Sequence, residues 1–179
     1  MKRQLGIFVG VAAALLPFAA APRVFAVPQG KMDYLTETEA DKIRDTMSPG
    51  DRIKLYVSFA EDRLTKFQYE LTRQSPDRRK DEMLNSLMNA YAGCVDDASD
   101  QIEVAKQKQV DIHAALKIFG DKGKTFLETL AKLNQGSGPD FDSYKETLED
   151  AIEGTKDAMT ATEKAQKEML PAPVRRKPS

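Results

Sequence analysis

From Leu84 to Phe119, apolar side chains recur at alternating spacings of four and three residues. The run passes through Leu84, Met88, Tyr91, Val95, Ala98, Ile102, Ala105, Ile112, Leu116 and Phe119, and only Gln109 interrupts it. A repeat averaging about 3.5 residues keeps one stripe of a helix turned toward one partner along its whole length. The spacing therefore predicts a long helix lying in a helix-helix seam. A buried amide at Gln109 would need a hydrogen-bond partner and would fix the register of the seam; alternatively, Gln109 marks an exposed seam end.

A second stripe precedes it. Ile53, Val57, Ala60, Leu64, Phe67 and Leu71 repeat the same spacing, and Tyr56 and Phe59 widen it. Ser48-Pro49 and Ser75-Pro76 each combine a capping side chain with a proline suited to the first helical position, so two long helices are expected from about residues 49 and 76. The short connection between them makes them antiparallel neighbours. Thr36-x-x-Glu39 reads as a capping box opening a helix to about Met47.

Gly120 and Gly123 each disfavour a helix interior by about 1 kcal/mol relative to alanine. The heptad frame nevertheless continues unshifted through Phe126, Leu130 and Leu133, so the pattern admits either a kinked continuation or a true break there. Gln135-Gly-Ser-Gly-Pro139 is a loop by composition. Beyond it, Asp140 or Asp142 can cap a last helix reaching about Leu170. Its stripe of Phe141, Tyr144, Leu148, Ala151, Thr155, Ala158, Thr162, Ala165 and Met169 thins from aromatic to small residues. The fold class expected is all-α, an elongated antiparallel helical bundle with coiled-coil-like packing.

The beginning of the chain reads as an address. Lys2-Arg3, an apolar stretch from Leu5 to Ala21 and Val24-Phe25-Ala26 follow the order of a secretory signal, with cleavage expected after Ala26. The apolar stretch is broken by Pro17 and falls short of the roughly 20 residues of a spanning helix, which disfavours an uncleaved anchor. The organisation expected is a signal peptide over 1–26, an extension over 27–35, one bundle domain over 36–170 and a disordered basic tail over 171–179. The leader holds three of the 27 Lys and Arg and none of the 28 Asp and Glu, which leaves the exported part at 24 against 28, a formal charge of −4. That mixed, weakly acidic balance carries no nucleic-acid footprint, and no later stretch is apolar enough for stable membrane insertion. A periplasmic or secreted location follows as the expectation.

Candidate chemistry is thin. Gly123-Lys124-Thr125 lacks the glycine five positions upstream that a phosphate loop requires, since Ile118 stands there. Asp140-x-Asp142 lacks the glycine and glutamate of a calcium loop, Lys145 and Ala151 taking their places. His113 is the one histidine, and no carboxylate lies three or four residues from it in the Glu-x-x-His pattern of metal-binding bundles. No nucleophilic constellation and no catalytic, cofactor-binding or metal site is assigned, so no enzyme is expected. Arg175-Arg176-Lys177 gives the tail at most a weak, salt-sensitive attraction to anionic surfaces.

Cys94 is the only cysteine. Preceding the seam residue Val95 and following Gly93, it is expected to flank the interface, where a second copy could reach it; an intermolecular disulfide and a buried, inert thiol are the two outcomes. The segment from Asp41 to Leu64, DKIRDTMSPGDRIKLYVSFAEDRL, resembles a stretch near the start of exported, uncharacterised helical proteins of acidobacterial type. The resemblance covers about a seventh of the chain and implies a bacterial envelope protein, with no activity or functional residue attached. The functional expectation is a non-catalytic exported protein that binds an envelope partner or associates with itself. The alternative is a bundle that holds haem, a metal or a small apolar molecule between its helices.

Overall fold

The computed structural model of the protein describes residues 34–73, 79–138 and 140–169. Ala26 and the rest of the leader, the extension as far as residue 33, the Ser75-Pro76 start signal and the basic tail lie outside the described residues. Among the described residues there are five helices and no strand: α1 (Glu37–Asp45), α2 (Pro49–Thr72), α3 (Lys80–Gln107), α4 (His113–Asn134) and α5 (Phe141–Glu168). None is long and apolar enough to cross a membrane.

The apolar stripes are the inner faces. Ile53, Val57, Ala60, Leu64 and Phe67 of α2 are buried, as are Leu84, Met88, Tyr91, Val95, Ala98, Ile102 and Ala105 of α3 and Leu148, Ala151, Ala158 and Ala165 of α5. α2 to α5 form a four-helix bundle in which α2 packs on α3 and α4, and α5 packs on the same two helices. Across one diagonal Phe67 meets Tyr144 edge to face at 5.1 Å, and across the other Tyr91 meets Phe126 at 5.7 Å.

The antiparallel expectation holds for α2 with α3 and for α4 with α5, but two sides of the bundle are parallel. Lys80, Asn85, Tyr91 and Lys106 of α3 bond in rising order to Asp140, Ser143, Thr155 and Glu168 of or beside α5. Likewise Gly50 lies against Ile112 and Ala115, while Glu61 pairs with Lys122 farther along, so α2 and α4 run together. The chain is thus two helical hairpins laid side by side, and the link from α3 to α4 crosses a diagonal.

That link corrects the single long helix expected through Gln109. The helix stops at Gln107 in a Schellman turn, with Val110 N–H bonding to the Ala105 carbonyl at 2.9 Å and Gln109 N–H to that of Lys106 at 3.1 Å. Gln109 adopts the left-handed conformation such a turn requires (φ 51°), although glycine is its usual occupant. Its amide is exposed and donates to the Lys106 carbonyl, so it is an exposed seam end and specifies no register. Ile112, Leu116 and Phe119 are buried and keep the heptad frame on α4, which is why the pattern conceals the break.

Several helix starts differ in detail. Ser48 precedes Pro49 but its hydroxyl makes no capping bond, and α3 begins at Lys80. Asp140 precedes α5, yet its carboxylate accepts from Lys80 Nζ at 2.7 Å instead of capping the helix.

α4 runs uninterrupted through both glycines, and they differ in kind. A Cβ at Gly120 would meet only Gln166 Nε2, at 3.7 Å; at Gly123 it would fall on the Met159 thioether, with Cγ 3.0 Å away. Gly120→Ala should therefore stabilise the fold by about 0.5–1 kcal/mol through backbone entropy. Gly123→Ala should destabilise it by about 1–2 kcal/mol, because moving buried Met159 outweighs that gain. Urea unfolding of the two variants checks the opposite signs.

Candidate functional site

The densest group of buried polar side chains lies where residues 34–45 fold back over α2 and α3. This strap begins with Tyr34, whose ring fits against Gly93: a Cβ there would stand 2.7 and 2.8 Å from two of its ring carbons. The Tyr34 hydroxyl donates to the Asp97 carboxylate, and Tyr56 of α2 also bonds to Asp97.

Arg63 completes the clasp. Nη2 donates to Glu39 Oε2 at 2.5 Å and to the Tyr34 carbonyl at 3.4 Å, while Nη1 donates to Asp62 Oδ2 at 2.6 Å. The expected capping box is present, with Thr36 N–H donating to Glu39 Oε2 at 2.8 Å and Glu39 N–H to Thr36 Oγ1 at 3.3 Å. Glu39 thus both opens α1 and ties it to the bundle.

The electrostatics follow from burial and pairing. Burial pushes the Glu39 carboxyl up, but the bonds from Arg63 and Thr36 outweigh it and hold the group at about 2, against an ordinary 4.5. Since the folded value lies below the unfolded one, this contribution to stability is complete above pH 4.5 and fades as pH falls toward 2. The thermal midpoint of the wild type should accordingly drop more steeply over that window than that of Glu39→Gln; equal slopes would deny the ion pair a role.

Cys94 corresponds to the buried outcome and not to the flanking position expected. Its side chain is fully enclosed, and burial pushes the thiol up to about 12, only partly offset by Arg63. At neutral pH the group is a protonated thiol, a poor nucleophile that a second chain reaches only after local opening. Burial and Asp97 raise Tyr56 to about 12 and Tyr34 well above its ordinary range. The arrangement pairs Arg63 with Glu39 and Asp62, gives the Asp97 carboxylate a phenol donor, and fastens the strap.

Two other places take up residues singled out by sequence. His113 opens α4, and its Nδ1 lies 2.8 Å from Asp111 Oδ1, which also accepts the His113 N–H at 3.1 Å. The carboxylate partner stands two residues before the histidine and not three or four, because it belongs to the turn preceding the helix. A shallow hollow nearby brings together the starts of α2 and α4, with Asp51 and Asp111 already facing their N-terminal dipoles. Gly123-Lys124-Thr125 lies inside α4.

An open groove of about 820 Å³ runs between the strap and α3, bordered by Tyr34, Thr36, Arg63, Lys66, Asn85 and Asn89. Among the described residues no group of three or more His, Cys, Asp or Glu side chains is placed to hold a metal ion.

Sequence reasoning missed the clasp. The one local signal was Gly93 itself, since a glycine inside a seam helix marks a close approach by another group. Compared with known protein families, characterised proteins and solved structures, the chain matches none.

Proposed function

We propose that this protein is an exported, non-catalytic helical bundle of the bacterial envelope that works by binding another macromolecule or by self-association, with coiled-coil-like packing between its helices. The observation that carries the reading is where its buried polar groups go. Arg63, Asp97, Thr155 and Thr162 all lie inside, and each is engaged by the chain's own atoms: Glu39, Tyr34, Ala151 and Ala158 respectively. These four groups serve to hold the fold, and Gln101 Oε1 is the one buried side-chain polar atom among the described residues without a hydrogen-bond partner, which supports placing function at the surface. The leader ending at Ala26 and the resemblance over Asp41–Leu64 support export and an envelope location.

The test is light scattering on purified exported protein, joined to cross-linking in native cells. Association with itself, or a reproducible envelope partner whose capture is lost on charge reversal along the strap groove, is the expected result. A strictly monomeric protein that captures nothing would end the proposal.

A further inference from the structure

We propose that the groove between the strap and α3 is the seat of the chain's own residues 27–33, which precede the described residues and enter the groove from Tyr34. The inference rests neither on self-association nor on a partner; a partner that grips this groove must first displace the segment.

The course of the strap leads there. The Thr46 carbonyl accepts from Arg52, Glu39 pairs with Arg63, and Thr36 borders the groove together with Lys66, so the strap passes to later residues of α2 as its own numbers fall. Along α3 the order is reversed: Tyr34 lies against Gly93, and the groove continues past Ala90 and Leu87 to Glu82. A chain that keeps this course before Tyr34 runs into the groove.

Length agrees with that course. From Ala90 back to Glu82, α3 advances about 12 Å, whereas seven extended residues span at most about 23 Å. The segment therefore reaches the far end of the groove with residues to spare.

The chemistry of the groove matches the segment in order. Its floor is apolar, since Ala90 is buried and Leu87 packs against the core, and its rims carry Lys66 and, at the far end, Glu82. Successive side chains of an extended chain point to opposite sides. With Met32 turned to the floor, Asp33 and Lys31 therefore face the rims, Asp33 at the end nearer Lys66 and Lys31 on the way to Glu82. Lys66 is held by Asp62 at 2.7 Å yet keeps 57% of its side chain exposed, which leaves it room for a second carboxylate. Because the segment is tethered at the rim, it meets the groove at an effective concentration on the order of millimolar.

The experiment traps the segment in place. In the full exported chain carrying Cys94→Ala, Met32→Cys is combined with Leu87→Cys on the floor or, as a control, with Lys117→Cys, which borders the hollow between α4 and α5. After reduction, oxidised glutathione should close the disulfide between positions 32 and 87 within one chain at least about tenfold faster than the control pair. Equal rates overturn the proposal. So does a disulfide that joins two chains, which would make a second copy the occupant, or one that joins Leu87→Cys to another envelope protein in native cells.

A second measurement leaves every described residue in place. Deleting residues 28–32 from the exported chain carrying Cys94→Ala and Leu87→Cys should raise the rate of maleimide labelling at position 87 by about fivefold or more, as expected when a covering segment is removed. An unchanged rate shows that the segment does not cover Leu87 and overturns the assignment.

Discussion

Replacing Arg63 with methionine should destabilise the fold by about 3 kcal/mol, near the lower end of what removing one partner of a buried ion pair costs. The guanidinium side chain is 5% exposed and Glu39 14%, so the carboxylate left behind is largely cut off from water. Asp62 is 43% exposed and turns to solvent, and Thr36 continues to bond Glu39, which keeps the loss from the upper end of the range. In Arg63→Met/Glu39→Gln no unpaired charge remains, and most of the stability should return. Urea unfolding of the two single variants and the double variant gives the coupling directly. A loss under about 0.5 kcal/mol in Arg63→Met would show that the clasp contributes nothing.

The second large effect belongs to Tyr91. Its side chain is fully buried on α3, its ring meets Phe126 edge to face across the bundle, and its hydroxyl lies 2.7 Å from Thr155 Oγ1. Tyr91→Ala removes an aromatic ring from the middle of a packed core and should cost about 4 kcal/mol. Tyr91→Phe should cost only about 1 kcal/mol, because Thr155 Oγ1 still donates to the Ala151 carbonyl at 2.6 Å and no buried group is orphaned. Thermal unfolding of both variants separates packing from hydrogen bonding, and equal losses would contradict this division.

The inner faces of the helices were legible because a stripe depends only on neighbours three and four residues away. Ile53 to Phe67 and Leu84 to Ala105 therefore announce themselves, and so does the non-helical stretch at 135–138. What the stripe does not encode is which helix faces which. α3 lies beside α5 and diagonal to α4, the helix that directly follows it, and no local spacing reports that choice. The turn at Gln109 was masked for a related reason: α4 resumes with Ile112 and Leu116 in the same frame, so a complete change of direction leaves the periodicity intact. The clasp was further out of reach. Arg63 and Glu39 are 24 residues apart and Tyr34 and Asp97 are 63, separations at which a lone arginine or aspartate gives no sign of its partner. Cys94 was expected to flank a single seam, but α3 packs against both α2 and α5, and side chains beside its stripe are enclosed as well.

The crossing link between α3 and α4 bears on how the bundle comes to be one cooperative object. Each hairpin brings its own helices together over short stretches of chain, yet each also presents an apolar face that only the other hairpin can cover. Extended, the link of Lys108 to Ile112 could reach at most about 17 Å, so it holds the two halves within a molecular diameter of one another. At that separation each half experiences the other at an effective concentration on the order of millimolar, with no dependence on how dilute the protein is. The turn that breaks the long helix thus converts the meeting of two hairpins from an encounter into a folding step.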